Sequence, residues 1–355
     1  MANVTIVGAG FMGTATAWPL SDNGHNVRLV GTHLDAEIIQ RCQETRVHPR
    51  LKRELPRGVR VYSIEEIAEG LRDAEIIVSG VSSPGVCWIG KTLAPYLRPG
   101  QMIIAITKGL EANSEGDLTV LPDVLASELP MPMRDQIKFA AIGGPCIAGE
   151  LAGRRQSCVV FGSRERGVAV QLARIFRTPY YHVWTTTDLV GLEYSAALKN
   201  AYTLGIGLAF GMLERSGGPD TANAFMHNTA AAIFAQGCTE IEQLLRAADA
   251  STFWAYGLPV AGDLYVTAAG GRTMRLGTLL GKGHTYAQAR AMMAGETLES
   301  VEIVRAMSLA LPKMFERGAI HPDDLPLLRA LIDIIVYGKP VDLPFDRFFR
   351  NLRGI

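Results

Sequence analysis

The stretch NVTIVGAGFMGTATAWPL, residues 3–20, decides the fold of this chain. Its β-branched run at residues 4–7 predicts a buried strand, and Gly8-Ala9-Gly10-Phe11-Met12-Gly13 predicts a tight turn into a helix. In this pattern the first glycine permits the turn, the second lets a pyrophosphate approach the backbone, and the third lets the helix pack against the strand. A second apolar run, residues 27–30, follows after one helix, as a βαβ unit requires. The stretch therefore predicts a dinucleotide-binding fold.

Further apolar runs predict the rest of a sheet. They alternate with polar, helix-like segments, which is typical of parallel strands covered on both faces. Lys108 follows one of these runs, at the strand end where open α/β sheets bind their ligands, although an exposed lysine without a ligand is the alternative. The runs are residues 76–79, 102–106, 139–142, 158–161 and 180–184.

The end of the second predicted strand bears on the choice of cofactor. It reads Gly31-Thr32-His33, and Asp35 comes a few residues late. An acid at this strand end bonds the adenosine ribose of NAD. Thr32 and His33 would tolerate the 2′-phosphate of NADP, whereas Asp35 would reach the ribose from the loop. The sequence therefore leaves the cofactor as NAD or NADP.

Residues 189–212, LVGLEYSAALKNAYTLGIGLAFGM, predict a long helix that is apolar on nearly all sides and hence buried. Asp188 and the threonines before it offer N-cap oxygens. Lys199 and Asn200 interrupt the apolar surface, and a lysine is almost never buried without a partner. A core helix whose Lys199 reaches the surface is the alternative. A membrane span is not favoured, because the charged residues, Glu193 included, break the run.

After Asp188 the alternation of strands stops and the chain has helix-like patterns, with a glycine-rich turn region at residues 257–277 that carries Asp263 and Arg272. We therefore expect an α/β N-terminal, Rossmann-like doubly wound sheet and an all-α C-terminal domain. The dinucleotide-binding domain is expected at residues 1–188, and the helical substrate-binding and catalytic domain at residues 189–355. The helix-like segments are residues 240–247, 300–315 and 325–336.

Composition narrows the class of protein. Lys plus Arg and Asp plus Glu both number 35, and this balance argues against a nucleic-acid partner. Five widely spaced cysteines without a CxxC indicate a reducing cytoplasm and neither disulfides nor zinc, and no metal is expected. No basic segment precedes the first apolar run, so a signal peptide is not expected, and no membrane partner is expected either.

Several motifs stand in the order found in one family. They are GAGFMG at 8–13, TKGLE at 107–111, GGPCIAGE at 143–150, AALKN at 196–200, AGDL, Thr267 and GGR within 261–272, LGKG at 280–283 and AGETLES at 294–300. Over nearly its whole length the chain resembles the NAD(P)-dependent sn-glycerol-3-phosphate dehydrogenases.

The resemblance implies an enzyme that interconverts sn-glycerol 3-phosphate and dihydroxyacetone phosphate by hydride transfer to or from NAD or NADP. It implies that Lys199 is the proton acceptor and that Lys108 and Asp263 are the other catalytic residues. The resemblance also implies that the substrate is contacted by Lys108, Gly144, Cys146, Asn200, Asp263, Thr267, Arg272 and Thr273. Its cofactor contacts are Gly8, Gly10, Phe11, Met12, Gly13, Thr32, Lys108, Ala148, Arg272 and Glu296. A homodimer that forms through the helical domain is expected by analogy.

The chemistry agrees with these roles, since burial and a nearby second cation both lower the pKa of a lysine toward neutrality, where a base can act. Two departures, Cys146 for Ser or Thr and Thr273 for Asn, leave another small polyol phosphate or anionic secondary alcohol as the alternative substrate. Another β-hydroxyacid or opine-type dehydrogenase and a non-enzymatic nucleotide-binding regulator are the competing classes. The regulator would leave Lys108, Lys199 and Arg272 without a role.

Overall fold

The computed structural model describes residues 1–350. The chain forms two compact units. The first comprises Met1–Lys108 and Leu121–Leu192, and the second comprises Gly109–Val120 and the chain from Glu193 onward. The short segment Gly109–Val120 thus belongs to the second unit, although it lies inside the first along the sequence.

The strands lie almost entirely before residue 190. In chain order they are β1 Asn3–Val7, β2 Asn26–Val30, β3 Val47–His48, β4 Arg53–Glu54, β5 Arg60–Tyr62, β6 Ile76–Ser79, β7 Met102–Ala105, β8 Leu110–Ala112, β9 Leu118–Val120, β10 Lys138–Gly143, β11 Ser157–Gly162 and β12 Tyr181–Thr186. One sheet of the first unit has the order β12-β11-β10-β7-β6-β1-β2-β5, and β3–β4 and β8–β9 are separate hairpins.

The large sheet is buried on both faces because its central strands carry mostly apolar side chains. β6 and β7 are buried throughout. Successive side chains of a strand point to opposite faces. Accordingly Val78 and Ile104 enter one apolar core, whereas Ile77 and Ile103 enter the other. The expectation of a Rossmann-like, doubly wound sheet is confirmed.

The sheet departs from the expectation in the direction of its last two strands, β11 and β12. β10 pairs with β7 in parallel but with β11 antiparallel, and β12 then runs parallel to β11. An apolar run has the same pattern in either direction, so the sequence does not reveal this reversal. The edge strand β5, three residues long, has no buried position and gave no apolar signal.

The helices cover the sheet and build the second unit. In chain order they are α1 Phe11–Ala15, α2 Ala17–Asp22, α3 Ala36–Thr45, α4 Ile67–Gly70, α5 Val86–Leu93, α6 Leu121–Ser127, α7 Met131–Arg134, α8 Ala148–Ala152, α9 Arg166–Phe176, α10 Leu189–Arg215, α11 His227–Ala247, α12 Asp263–Ala268, α13 Arg272–Gly281, α14 Tyr286–Met292, α15 Glu299–Glu316 and α16 Pro326–Ile335. Between Glu193 and Arg350, the end of the described chain, no strand occurs. The expected all-α character of this part is confirmed, with the β8–β9 hairpin packed on α15 as an addition.

Helix α10 begins as the sequence predicts. The Asp188 carboxylate accepts a hydrogen bond from the backbone N–H of Gly191 at 2.8 Å, and the Thr186 hydroxyl accepts one from the N–H of Asp188 at 3.0 Å. Side-chain oxygens thus satisfy N–H groups that the first turn of a helix leaves open. Nearly every residue from Leu189 to Ala209 is buried.

Helices α10 and α13 meet backbone to backbone through glycines. A Cβ on Gly277 would lie 2.3 Å from the carbonyl oxygen of Leu204, and one on Gly211 would lie 2.1 Å from that of Thr278. Both distances are too short for any side chain, so the helix axes approach closely only because glycine stands at these positions. We call this contact the glycine seam; its members are Gly207, Gly211, Gly277 and Gly281.

A methyl group in the glycine seam should destabilise the fold. Gly277→Ala forces backbone against backbone, and overpacking of this kind costs roughly 1–3 kcal/mol. Gly167→Ala on α9 is the matched control, because a Cβ there meets nothing within 4 Å. We expect a lower urea midpoint, measured by circular dichroism, for Gly277→Ala, and an unchanged or slightly higher one for Gly167→Ala. Equal midpoints for the two variants would refute the seam as a close-packing constraint.

A buried carboxylate joins three helices of the second unit. Glu240 of α11 is fully buried and accepts hydrogen bonds from the N–H groups of Leu327 and Leu328 at the start of α16, at 2.7 and 2.8 Å. The Tyr202 hydroxyl of α10 and the Gln236 amide donate to it at 3.0 and 2.8 Å. Burial raises the pKa of Glu240 to about 7, although these four hydrogen bonds oppose the shift.

Glu240 should make the stability of the protein depend on pH. Because its folded pKa lies above its ordinary value, the folded state holds the proton more tightly, and stability falls as the pH rises from about 4.5 to about 7. Comparison with Glu240→Gln, which cannot titrate, isolates the effect. We expect the unfolding free energy of the wild type, relative to the variant, to fall by on the order of 1–3 kcal/mol between pH 5 and pH 8. A relative stability that rises with pH would mean that the hydrogen bonds outweigh burial.

Candidate active site

The glycine loop of the first unit has the close contacts expected of a cofactor turn. Gly8 has φ +113°, and a Cβ there would lie 2.6 Å from the carbonyl oxygen of Gly80. A Cβ on Gly13 would lie 2.4 Å from the carbonyl oxygen of Gly8. At Gly10, by contrast, the nearest protein atom would be 4.0 Å away. Packing inside the protein therefore explains Gly8 and Gly13, whereas Gly10 leaves open space of the kind that a pyrophosphate fills.

Three further residues of the cofactor prediction lie in or beside this loop. Phe11, the first residue of α1, is 49% exposed, and Met12 packs partly against the core below it. Thr32 is buried, and its N–H and hydroxyl donate to the Asp35 carboxylate at 2.9 and 2.8 Å. The structure thus brings the second strand end to the glycine loop, with Thr32 and Asp35 bonded to each other.

The segments that follow three neighbouring strands, β6, β7 and β10, are joined by hydrogen bonds. The Thr107 hydroxyl donates to the carbonyl oxygen of Val81 at 2.5 Å, and the Ser83 hydroxyl donates to that of Lys108 at 3.2 Å. The Lys108 ammonium in turn donates to the carbonyl oxygen of Gly144 at 3.4 Å. The carboxyl ends of β6, β7 and β10 therefore place Lys108 and Gly144 together, as neighbouring parallel strands require.

The loop after β10 continues into α8. Gly144 has φ +119°, a left-handed conformation that favours glycine. Cys146 is partly buried against the apolar core, and Ala148 is the first residue of α8. Burial raises the pKa of the Tyr181 hydroxyl well above its ordinary range, and the Cys146 thiol adds to the effect. Cys146 therefore stands at the border between the core and the loop.

In the second unit, Lys199 has the partners that a buried ammonium requires. Its side chain and that of Asp263 are only 5% and 4% exposed, and the two charges are 3.3 Å apart. Its Nζ donates to the Thr267 hydroxyl at 2.6 Å, and that hydroxyl donates to the main-chain oxygen of Asp263 at 2.6 Å. Asn200, next to Lys199 in α10, is also buried. Four predicted residues thus lie on two facing helices, and the alternative of a Lys199 that reaches the surface is wrong.

A π-helical turn at Leu258–Gly262 immediately precedes α12. Such turns shift the helical register by one residue and are frequent at functional sites. α12 starts at Asp263, so Asp263 and Thr267 stand one turn apart on the same face and both reach Lys199. The turn therefore sets the rotation of α12 about its own axis, and with it the directions of Asp263 and Thr267.

The predicted arginine lies at the first position of α13, after two glycines with positive φ, Gly270 and Gly271. Arg272 is partly exposed and donates to both carboxylate oxygens of Glu299, at 3.0 and 3.2 Å, and to the Thr297 hydroxyl. Thr273 is buried in the same turn.

Glu296, the remaining cofactor candidate, pairs with Arg275 at 2.7 Å. The segment at residues 296–299 thus supplies acidic partners to both arginines of α13, Arg272 and Arg275.

The sequence interpretation missed four residues of these sites. Gly80 and His48 contact the glycine loop, and Thr297 and Glu299 contact Arg272. Gly80 carried a signal, because a glycine directly after a buried strand often marks a close backbone approach. His48 is a single histidine in a polar stretch of the sequence, and no local pattern distinguishes it. The partners of Arg272 depend on how α15 packs.

Two features concern the class of protein. No helix among residues 1–350 combines the length and the apolar character that crossing a bilayer demands. Within the same residues, no group of three His, Cys, Asp or Glu side chains converges as a metal ion would need.

Comparison with known proteins places the chain in a family. The profile described as NAD-dependent glycerol-3-phosphate dehydrogenase N-terminus matches residues 3–169, and the corresponding C-terminus profile matches residues 188–345. The chain is 38% identical over 341 residues to an NADP(+)-dependent glycerol-3-phosphate dehydrogenase of Archaeoglobus fulgidus, covering 96% of each chain. It is 30% identical to a glycerol-3-phosphate dehydrogenase [NAD(P)+] of Bacillus cereus, covering 96% of this chain and 93% of the relative.

The fold agrees with these relatives. A crystal structure of glycerol-3-phosphate dehydrogenase from Coxiella burnetii superposes with a TM-score of 0.79 at 24% identity and 96% coverage of both chains. The resemblance drawn from the motifs is confirmed. The chain belongs to the NAD-dependent glycerol-3-phosphate dehydrogenase family.

Proposed function

We propose that this protein is an NAD(P)-dependent glycerol-3-phosphate dehydrogenase that interconverts sn-glycerol 3-phosphate and dihydroxyacetone phosphate, with Lys199 as the general acid and base. The observation that carries the proposal is the buried Lys199 with Asp263 at 3.3 Å and Thr267 at 2.6 Å, on a scaffold of this family. The names of the relatives support the substrate.

A bound nicotinamide supplies or accepts the hydride. Lys199 moves the accompanying proton: its ammonium donates to the ketone oxygen in reduction, and its amine takes the hydroxyl proton in oxidation. The Thr267 hydroxyl accepts a hydrogen bond from Nζ and so fixes the direction of the remaining N–H groups. Asp263 stabilises the charged form of the lysine, which a wholly apolar site would disfavour. Lys199 is therefore held ready to act in both directions.

The remaining candidates are assigned by the same proposal. Lys108 contacts both substrate and nicotinamide, and Gly144, Cys146, Asn200 and Thr273 line the substrate. Arg272 binds a phosphate, which would replace the Glu299 carboxylate as its partner. The cofactor, NAD or NADP, is held by Gly8, Gly10, Phe11, Met12, Gly13, Thr32, Lys108, Ala148, Arg272 and Glu296. We propose residues 1–188 as the dinucleotide-binding domain and residues 189–355 as the catalytic domain.

A different polyol phosphate as the substrate is not favoured. The departures Cys146 and Thr273 had suggested it, but the relatives of 38% and 30% identity are both named for glycerol 3-phosphate. A nucleotide-binding regulator would bind the reduced cofactor without oxidising it. Mixing the protein with NADH or NADPH and dihydroxyacetone phosphate, and following the absorbance of the reduced cofactor, separates these functions.

We also propose a cytoplasmic homodimer that forms through the helical unit. Phe253, Tyr256 and Tyr265 of this unit are 70%, 60% and 76% exposed, and aromatic side chains are enriched at protein–protein interfaces. Light scattering at micromolar concentration should give about twice the chain mass of 38.4 kDa. A mass near that of one chain would refute the dimer.

Replacing the proposed base should lower kcat strongly and leave the affinity for the cofactor unchanged. Lys199→Met keeps the length of the side chain and removes the proton donor, so kcat should fall by roughly 10²–10⁴-fold, the size of a general acid–base contribution. Lys313→Met is the control, since Lys313 lies on the surface of α15 and pairs only with Glu316 among the described contacts. Stopped-flow turnover and NADPH fluorescence titration measure the two effects. Turnover near that of the wild type would show that another group moves the proton.

A further inference from the structure

Both backbone groups of Ala9, inside the glycine loop, are bonded by side chains that the proposed reaction leaves without a role. The N–H of Ala9 donates to Asp35 at 3.0 Å, and the carbonyl oxygen of Ala9 accepts from His48 at 2.9 Å. Ala9 and His48 are both fully buried. Two residues that are distant in the sequence thus converge on one residue of the loop.

The side chain of Asp35 bonds the glycine loop and does not cap the helix that it precedes. It occupies the N-cap position of α3, where an aspartate usually accepts from the first N–H groups, but its side chain makes no such bond. Its Oδ2 instead accepts from the Ala9 N–H and from the N–H and hydroxyl of Thr32, at 3.0, 2.9 and 2.8 Å. Three donors saturate Oδ2, so any further partner of this carboxylate would have to bond Oδ1.

His48 is held in one orientation. Its Nδ1 accepts from the N–H of Leu51 at 3.0 Å, so Nε2 carries the proton that it donates to Ala9. Burial lowers the pKa of His48, which keeps the ring neutral and this arrangement intact near neutral pH. The centroid of the His48 ring also lies 6.4 Å from that of Phe11, the residue that follows Gly10 in the sequence.

The planarity of the peptide bond links these contacts to the cofactor. The carbonyl of Ala9 and the N–H of Gly10 belong to one trans peptide and point in opposite directions. When His48 holds the carbonyl, it also fixes the direction of the Gly10 N–H. Asp35 likewise holds the Gly8–Ala9 peptide, whose carbonyl oxygen faces Gly13.

We propose that Asp35 and His48 are positioning residues that clamp Ala9 from both sides and so orient the backbone of Gly10 toward the pyrophosphate of the cofactor. In this role Oδ2 of Asp35 holds the glycine loop and is not a ligand of the adenosine ribose, the role that the position of Asp35 in the sequence suggests. The inference rests on the proposed function only in requiring that the loop binds a dinucleotide.

The test measures cofactor binding directly, by fluorescence titration of NADH and NADPH, with Asp35→Ala and His48→Leu. Each variant loses hydrogen bonds to the loop, and we expect the Kd of both cofactors to rise by a similar factor of about tenfold, the size of one or two net hydrogen bonds. The KM for the cofactor should rise with it, while kcat at saturating cofactor and the KM for the other substrate change little. Asp35→Asn and His48→Gln, which keep an acceptor and a donor in place, should restore most of the affinity.

Asp22→Ala is the control for a loss of stability alone. Asp22 accepts hydrogen bonds from Arg154 and Tyr180 in the same unit and none from the loop, so its removal should lower the thermal midpoint without changing either Kd.

Three results would overturn the clamp. A weaker affinity for NADH with unchanged affinity for NADPH in Asp35→Ala would identify Asp35 as a ribose ligand. A similar loss of affinity in Asp22→Ala would make the effect one of stability. Wild-type affinity in both Asp35→Ala and His48→Leu would show that the loop needs no support. If the wild type itself bound neither cofactor, the proposed function would fail along with the clamp.

Discussion

The burial of the Lys199 ammonium is the constraint on which the second unit depends. Removing such a charge from water costs several kcal/mol even after the protein relaxes, and the cost is offset only by close partners. Lys199 has two such partners on α12, where Asp263 and Thr267 lie at 3.3 and 2.6 Å. The position and the phase of α12 are therefore tied to one side chain of α10. An apolar residue at position 199 would remove this requirement and, with it, a physical reason for the π-helical turn before α12.

Direct contact between backbones is the second constraint, and it acts in each unit by itself. In the first unit, Gly8, Gly13 and Gly80 pack main chain on main chain and leave the turn no other shape. In the second, the glycine seam brings α13 against α10 and so decides where Arg272, its first residue, begins. Close packing excludes intermediate positions, because interiors have few voids into which a displaced backbone could move. The positions of the candidate site residues therefore depend in part on glycines.

More of the fold than of the candidate site could be predicted from the sequence, and particular elements show why. β6 and β7 are short apolar runs buried at every position, and such runs are visible without any tertiary contact. The reversed direction of β11 and β12 and the existence of the edge strand β5 have no local signature. In the site, Lys199 was conspicuous because it interrupts an apolar helix, whereas its pairing with Asp263 joins residues that are distant in the chain and could be inferred only from a family resemblance. His48 had neither a pattern nor a motif, and its contact with Ala9 emerges only from the fold.

The contacts of Arg272 bear on the phosphate site that we propose at this residue, because they order its side chain before any phosphate binds. Free guanidinium groups on long side chains sample many rotamers, and ordering one on binding costs roughly 0.5–1.5 kcal/mol. Glu299 and Thr297 already order Arg272, so part of this cost is met during folding. The pair is also easy to exchange, since its side chains are 46% and 30% exposed and ion pairs near water contribute only about 0–1 kcal/mol. A phosphate offers a stronger, bidentate partner to the same guanidinium. A partly exposed carboxylate such as Glu299 would therefore order the arginine while lowering its affinity for phosphate only slightly. A buried carboxylate such as Glu240 would hold the guanidinium too strongly for a phosphate to replace it.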